Sequence, residues 1–195
     1  DDVFAVTEHL LSVQSVVVDA KDRLWLLDTG SPKFEPVVKG AAKLVCVDLK
    51  TNKVIQTIFM PANTAYVGTY LNDVRFDLSR GKAGMAFITD SSSSCPGIIV
   101  VDLASGESWR RLNDHISVRP VSGFLPMVEG EPLVDLRVGS DGIAIGADGK
   151  HLFYCPLSSR KLYSVSVDAL CDRQLSDGDV EKTVCEVVTK GASDG

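Results

Sequence analysis

The feature that most constrains this chain is a hairpin that recurs with one grammar. Residues 15–30 read SVVVDAKDRLWLLDTG: an apolar run, a polar turn, and a second apolar run ending at Asp28. The design returns as VRFDLSRGKAGMAFITDSS (74–92) and as IAIGADGKHLFYCPLSS (143–159). A second hairpin follows each copy: LVCVDLKTNKVIQTIFMP (44–61), IIVVDLASGESWRRLND (98–114), then LYSVSVDAL (162–170) paired with KTVCEVV (182–188). Each unit therefore holds four short strands rich in β-branched residues, with turn chemistry between them. Asp48 to Asp102 is a step of 54 residues and Asp19 to Asp77 one of 58.

Four strands repeating at that period predict an all-β chain of β-propeller blades. A sandwich is the alternative, but it does not call for two hairpins of the same grammar in each unit. No stretch sustains a helical period, which argues against an α/β fold. The blades are expected at 13–61, 62–114 and 139–190, with segment 115–139 inserted before the third. The closing GASDG (191–195) repeats the GSDG that opens the third unit and reads as the start of a further blade. Three blades leave their terminal sheets without neighbours, so the expectation is a partial ring completed by sequence not present here.

Net charge is −6, and no Lys/Arg cluster with interleaved aromatics occurs, so nucleic acid is not an expected partner. No apolar run approaches the ~20 residues that cross a bilayer, so no membrane partner is expected. The five cysteines show no CxxC, and the three histidines lie far from one another, which argues against zinc. Cys46 and Cys155 fall inside apolar runs and are expected as buried thiols. For Cys171 and Cys185 one disulfide across a loop, if the protein is exported, and free thiols both stay open. Ser91-Ser92-Ser93-Ser94 reads as a flexible loop, and Trp25 as core.

Aligning the inner strands on Asp19, Asp77 and Gly146 and stepping back five residues reaches Gln14, Asn72 and Asp141; Asp194 falls in the same place in the fourth copy. Each is an amide or a carboxylate at the head of a strand that would line a central channel. Their oxygens suit a hard divalent cation such as Ca²⁺, with water completing six to eight ligands; Mg²⁺ and Mn²⁺ are also compatible. The alternative for each position is a loop cap. Asp19, Asp48, Asp77 and Asp102 sit at turns and are expected to be structural, as is the Asp148-Gly149 turn.

At LWLLDTG (24–30), LNDVRFD (71–77), GIIVVDL (97–103) and DGIAIGADGKHLFYCPLSS (141–159) the chain resembles the major royal jelly/Yellow protein family. The resemblance implies a six-bladed, secreted or otherwise extracellular or periplasmic propeller, of which this chain supplies about half. Some members bind small amines and some are linked to pigment chemistry. The implied function is binding of a small-molecule ligand at the central channel, with Gln14, Tyr70, Asn72 and Asp73 around it. A more distant similarity to the gluconolactonase/senescence-marker lactonases implies a channel metal (Ca, Mg, Mn or Zn) on Asn72, Asp141 and Asp194. There the ligand set includes an Asn where this chain has Asp141, and an Arg often stands where it has Tyr70. That similarity gives the second expectation, a metal-dependent lactone or ester hydrolase with Asp194 or Asp141 as the base.

Overall fold

The computed structural model describes residue 6 and residues 8–191. Its strands form three four-stranded antiparallel sheets, each in simple meander order. The first holds β1 (Val13–Val18), β2 (Arg23–Asp28), β3 (Lys43–Asp48) and β4 (Lys53–Phe59). The second holds β5 (Leu71–Asp77), β6 (Met85–Asp90), β7 (Gly97–Asp102) and β8 (Ser108–Arg111). A two-stranded ribbon, β9 (Met127–Val128) and β10 (Glu131–Pro132), lies in the inserted segment. The third sheet holds β11 (Ser140–Ile145), β12 (His151–Pro156), β13 (Lys161–Ser166) and β14 (Cys185–Thr189). These sheets are three blades of a β-propeller, with β5 seated between the other two inner strands, β1 and β11.

Burial explains why the blades differ in sequence. In the middle blade, Ile88, Ala86, Ile99 and Val101 pack toward the first blade, together with Trp25, Leu27 and Leu44. The alternate residues Phe87, Ile98 and Val100 pack toward the third, against Leu152, Tyr154 and Val165. A sheet covered on both faces must be apolar at every position, and β6 and β7 are near-continuous hydrophobic runs. In the first blade β2 shows the alternation of a strand buried more deeply on one face.

The turns repeat as faithfully as the strands. Asp19, Asp48, Asp77, Asp102 and Asp148 each accept from a main-chain N–H two residues on, closing an Asx turn. Asp19 also takes the Trp25 indole N–H at 2.8 Å. The left-handed position of the outer hairpin turn is Asn52 (φ +54°) in the first blade and Gly106 (φ +76°) in the second. In the third, Gly149 (φ +67°) closes the inner turn opened at Asp148.

Two sequence expectations are corrected, and the open question of a Cys171–Cys185 bridge is answered. The strand begun at Lys161 ends at Ser166, whose Oγ accepts from Ala169 N and caps the short helix α1 (Val167–Cys171), and a second, α2 (Asp177–Glu181), follows. All five cysteines are free thiols, Cys171 and Cys185 included. Burial pushes the Cys171 thiol up to about 11, so it stays protonated. Ser91 and Ser92 are buried rather than loose, and the Ser91 hydroxyl donates to the Ser140 carbonyl at 2.6 Å, tying the second blade to the third. Among the described residues no helix is long and apolar enough to cross a membrane.

Candidate functional site at the channel mouth

Each inner strand carries an irregularity at the same height. Pairing slips between Val13 and Ser15 in β1, between Leu71 and Val74 in β5, and between Ser140 and Ile143 in β11. These β-bulges contain Gln14, Asn72 with Asp73, and Asp141 with Gly142. An extra residue in a strand bends it and re-aims the side chain it carries. That is how polar residues at the head of three otherwise apolar strands come to converge.

The convergence is a hydrogen-bonded chain crossing all three blades. The Tyr70 hydroxyl donates to Gln14 Oε1 at 2.7 Å, and Gln14 Nε2 donates to Asn72 Oδ1 at 3.1 Å. Asn72 Nδ2 then donates to Asp141 Oδ1. Partial burial and then the Asp141 charge hold the Tyr70 phenol above its ordinary pKa. Thr89 braces the chain from behind, its hydroxyl donating to the Asp141 carbonyl at 2.9 Å and accepting from Asp73 N.

Asp73 is not part of this chain. Its Oδ1 accepts from the Ser15 hydroxyl (2.7 Å), Val74 N (2.7 Å) and Arg75 Nη1 (2.8 Å), on the channel side of the bulge. The Asp194 expectation lies outside the described residues. Among the described residues no group of three His, Cys, Asp or Glu side chains is placed to hold a metal ion. The described donors there are one carboxylate, Asp141, and two amides.

Two cavities meet at the chain. One, of about 810 Å³, runs along the inner strands past Ser15, Arg75 and Phe153. The other, of about 550 Å³, opens above it between Phe34, Tyr70, Ser93 and Leu136. Gln14, Asn72 and Asp141 are the described residues that line both, so they form the floor of the mouth and the ceiling of the channel.

The mouth has an aromatic wall that sequence reasoning missed. Phe34, 80% exposed, stacks on Tyr70 with ring centroids 4.8 Å apart. It is held there by left-handed backbone at both Lys33 (φ +56°) and Phe34 (φ +62°). Such conformations cost roughly 1–3 kcal/mol each in non-glycine residues and cluster at functional sites. Nothing in the local sequence around Ser31-Pro32-Lys33-Phe34 announces this. A second omission had a readable signal: Asp28 and Asp90 end equivalent strands. Asp28 accepts from Leu11 N and Ser12 N, and Asp90 from Tyr70 N, so each anchors the backbone entering its bulge. Both are neutralised inside the protein, by Lys43 and Arg110 at 2.9 Å.

The family profile described as Major royal jelly protein matches residues 11–194. Among curated proteins, Major royal jelly protein 3 of Apis mellifera is 28% identical over 181 residues, covering 88% of this chain and 31% of that protein. Major royal jelly protein 7 of the same species is 26% identical, covering 88% and 39%. The Yellow-related salivary protein SP04 of Phlebotomus argentipes is 26% identical, covering 84% and 44%. The chain thus spans less than half the length of these relatives. Among solved structures, the hydrazine synthase of Kuenenia stuttgartiensis superposes with a TM-score of 0.54 at 12% identity, over 88% of this chain and 45% of that one. At that identity the likeness concerns the fold alone.

Proposed function

The chain belongs to the major royal jelly protein family, and on that premise we propose that it is part of a secreted propeller holding a small organic ligand at its channel mouth. Relatives named for royal jelly and for saliva support the extracellular setting. The observation that carries the binding reading is the shared floor of Gln14, Asn72 and Asp141 beneath the stacked Phe34–Tyr70 wall. A concave site with an aromatic wall and a few convergent polar groups is what small-molecule recognition requires. The ligand class it fits is an aromatic amine, its ring on Phe34 and Tyr70 and its ammonium drawn to the Asp141 carboxylate.

A cation at the same floor is the second reading we propose. Asp141 and the Asn72 amide oxygen are hard donors suited to Ca²⁺, but two ligands fall short of six to eight. Water and Asp194 supply the remainder in this reading.

Calorimetry with phenethylamine tests the binding reading. Binding to the chain should weaken roughly tenfold or more in both Tyr70→Ala and Asp141→Asn, since each removes a charged or stacked contact. No binding, or equal binding by the variants, would overturn it. Turnover of a lactone only in the presence of added Ca²⁺, Mg²⁺, Mn²⁺ or Zn²⁺ would favour a hydrolase instead.

A further inference from the structure

The hydrogen-bonded chain from Tyr70 to Asp141 has a direction, and that direction is set at one end. A carboxylate only accepts, so Asn72 must turn its Nδ2 toward Asp141. Its Oδ1 then faces Gln14, which must answer with Nε2, leaving Gln14 Oε1 to accept the Tyr70 proton. An amide turned through 180° exchanges a donor for an acceptor at almost no change in shape. Every orientation along the chain therefore follows from the charge at Asp141.

We propose that this chain is a reversible relay, by which a positive group held at Asp141 changes what Tyr70 offers to a ligand in the mouth. A cation or an ammonium at the carboxylate attracts Asn72 Oδ1 in place of Nδ2. Asn72 Nδ2 then faces Gln14, Gln14 presents Oε1 to it, and Gln14 Nε2 faces Tyr70. The phenol oxygen becomes an acceptor, and its O–H turns toward the mouth cavity. Protons stay on their own atoms throughout; two amides and one hydroxyl rotate. The inference rests on the reading of Asp141 as the seat of positive charge and of the mouth as a ligand site.

Three structural facts favour a relay over a set of separate contacts. Gln14, Asn72 and Asp141 come one from each blade and Tyr70 immediately precedes β5, so no single strand dictates their rotamers. Gln14, Asn72 and Asp141 line both cavities, so an event on the channel side reaches the mouth side directly. The Asp141 charge already reaches Tyr70, whose phenol it helps to hold above its usual range.

The test uses a neutral mouth probe with an acceptor, acetophenone, and one without, toluene. Ca²⁺ in one arm and methylammonium in another supply the positive group, which distinguishes a metal from an organic cation. The expected result is acetophenone affinity raised about fivefold by either cation, one hydrogen bond's worth, with toluene unchanged. By linkage, acetophenone should raise the cation's affinity by the same factor. Gln14→Met, at an exposed position of the fold, should abolish the enhancement while cation binding persists. Enhancement that survives in Gln14→Met, or an acetophenone affinity indifferent to bound cation, overturns the relay but leaves the mouth site standing. Failure of acetophenone, toluene and phenethylamine alike to bind overturns the mouth reading and the relay with it, and failure of both cations to bind overturns the relay alone.

Discussion

Lys43 is a cation with only 2% of its side chain exposed, and its partner Asp28 has none. Three main-chain carbonyls, of Val6, His9 and Ala41, share its ammonium, so the charge is fully solvated by protein. Burial alone would raise the Asp28 pKa, but Lys43 and the N–H groups of Gly30, Leu11 and Ser12 outweigh it and hold the carboxyl below its usual value. A depressed folded-state pKa contributes stability above the unfolded pKa, and that contribution is lost as pH falls through the depressed value. The protein should therefore lose stability below about pH 4. Lys43→Met strands a buried carboxylate and should cost about 3–5 kcal/mol at pH 7. Its deficit should narrow as pH falls, because removing Lys43 makes protonation of the buried Asp28 carboxyl easier; urea midpoints at pH 7 and at a more acidic pH check both statements. At this scale the sequence was partly legible. Gln14, Asn72 and Asp141 share a register that counting reveals. Phe34 does not show, because a left-handed backbone pair at Lys33-Phe34 leaves no compositional trace. Asp73, expected beside the ligand, has its side chain on the channel side of the bulge, in the Ser15–Arg75 contacts.

Among the elements, the hairpin turn shows how far a repeat can be read. Asn52 and Gly106 occupy the same left-handed position of equivalent turns, with N–H bonds of 2.7 and 2.8 Å back to Asp48 and Asp102. A methyl group at Gly106 would meet only Ile58 Cγ2 at 3.8 Å, so there is room for it. Gly106→Ala should then cost only the left-handed backbone penalty, about 1–2 kcal/mol, while Asn52→Gly should be neutral or slightly stabilising. Gly30→Ala is a harsher change at a similar φ, because its Cβ would lie 2.7 Å from Ala42 N. Thermal unfolding should rank the three from least to most destabilised as Asn52→Gly, Gly106→Ala and Gly30→Ala. Strand positions and turns were legible because period-two burial and Asp-rich turns are local signals. The bulges were not, since an extra residue in a ladder appears only when the partner strand is known. The helices α1 and α2 escaped notice because five residues are too few to show a period.

For the molecule as a whole, stability is concentrated in the middle blade, which supplies apolar residues to both interfaces. Ile99→Ala should cost about 2–5 kcal/mol, the range for a large core truncation. Val187→Ala, on the exposed outer strand β14, should stay within about 0.5 kcal/mol. Denaturant curves that gave the two variants similar costs would contradict this distribution. The bulges bear on this economy in another way. Ladder pairing slips at Gln14, Asn72 and Asp141, and none of the three belongs to the two apolar clusters. Exchanging one for another polar residue alters the chemistry of the channel while the core stays as it was. A lineage built on this scaffold can change what it binds by single steps, each nearly invisible to folding, and so can diverge in ligand while its blades stay recognisable.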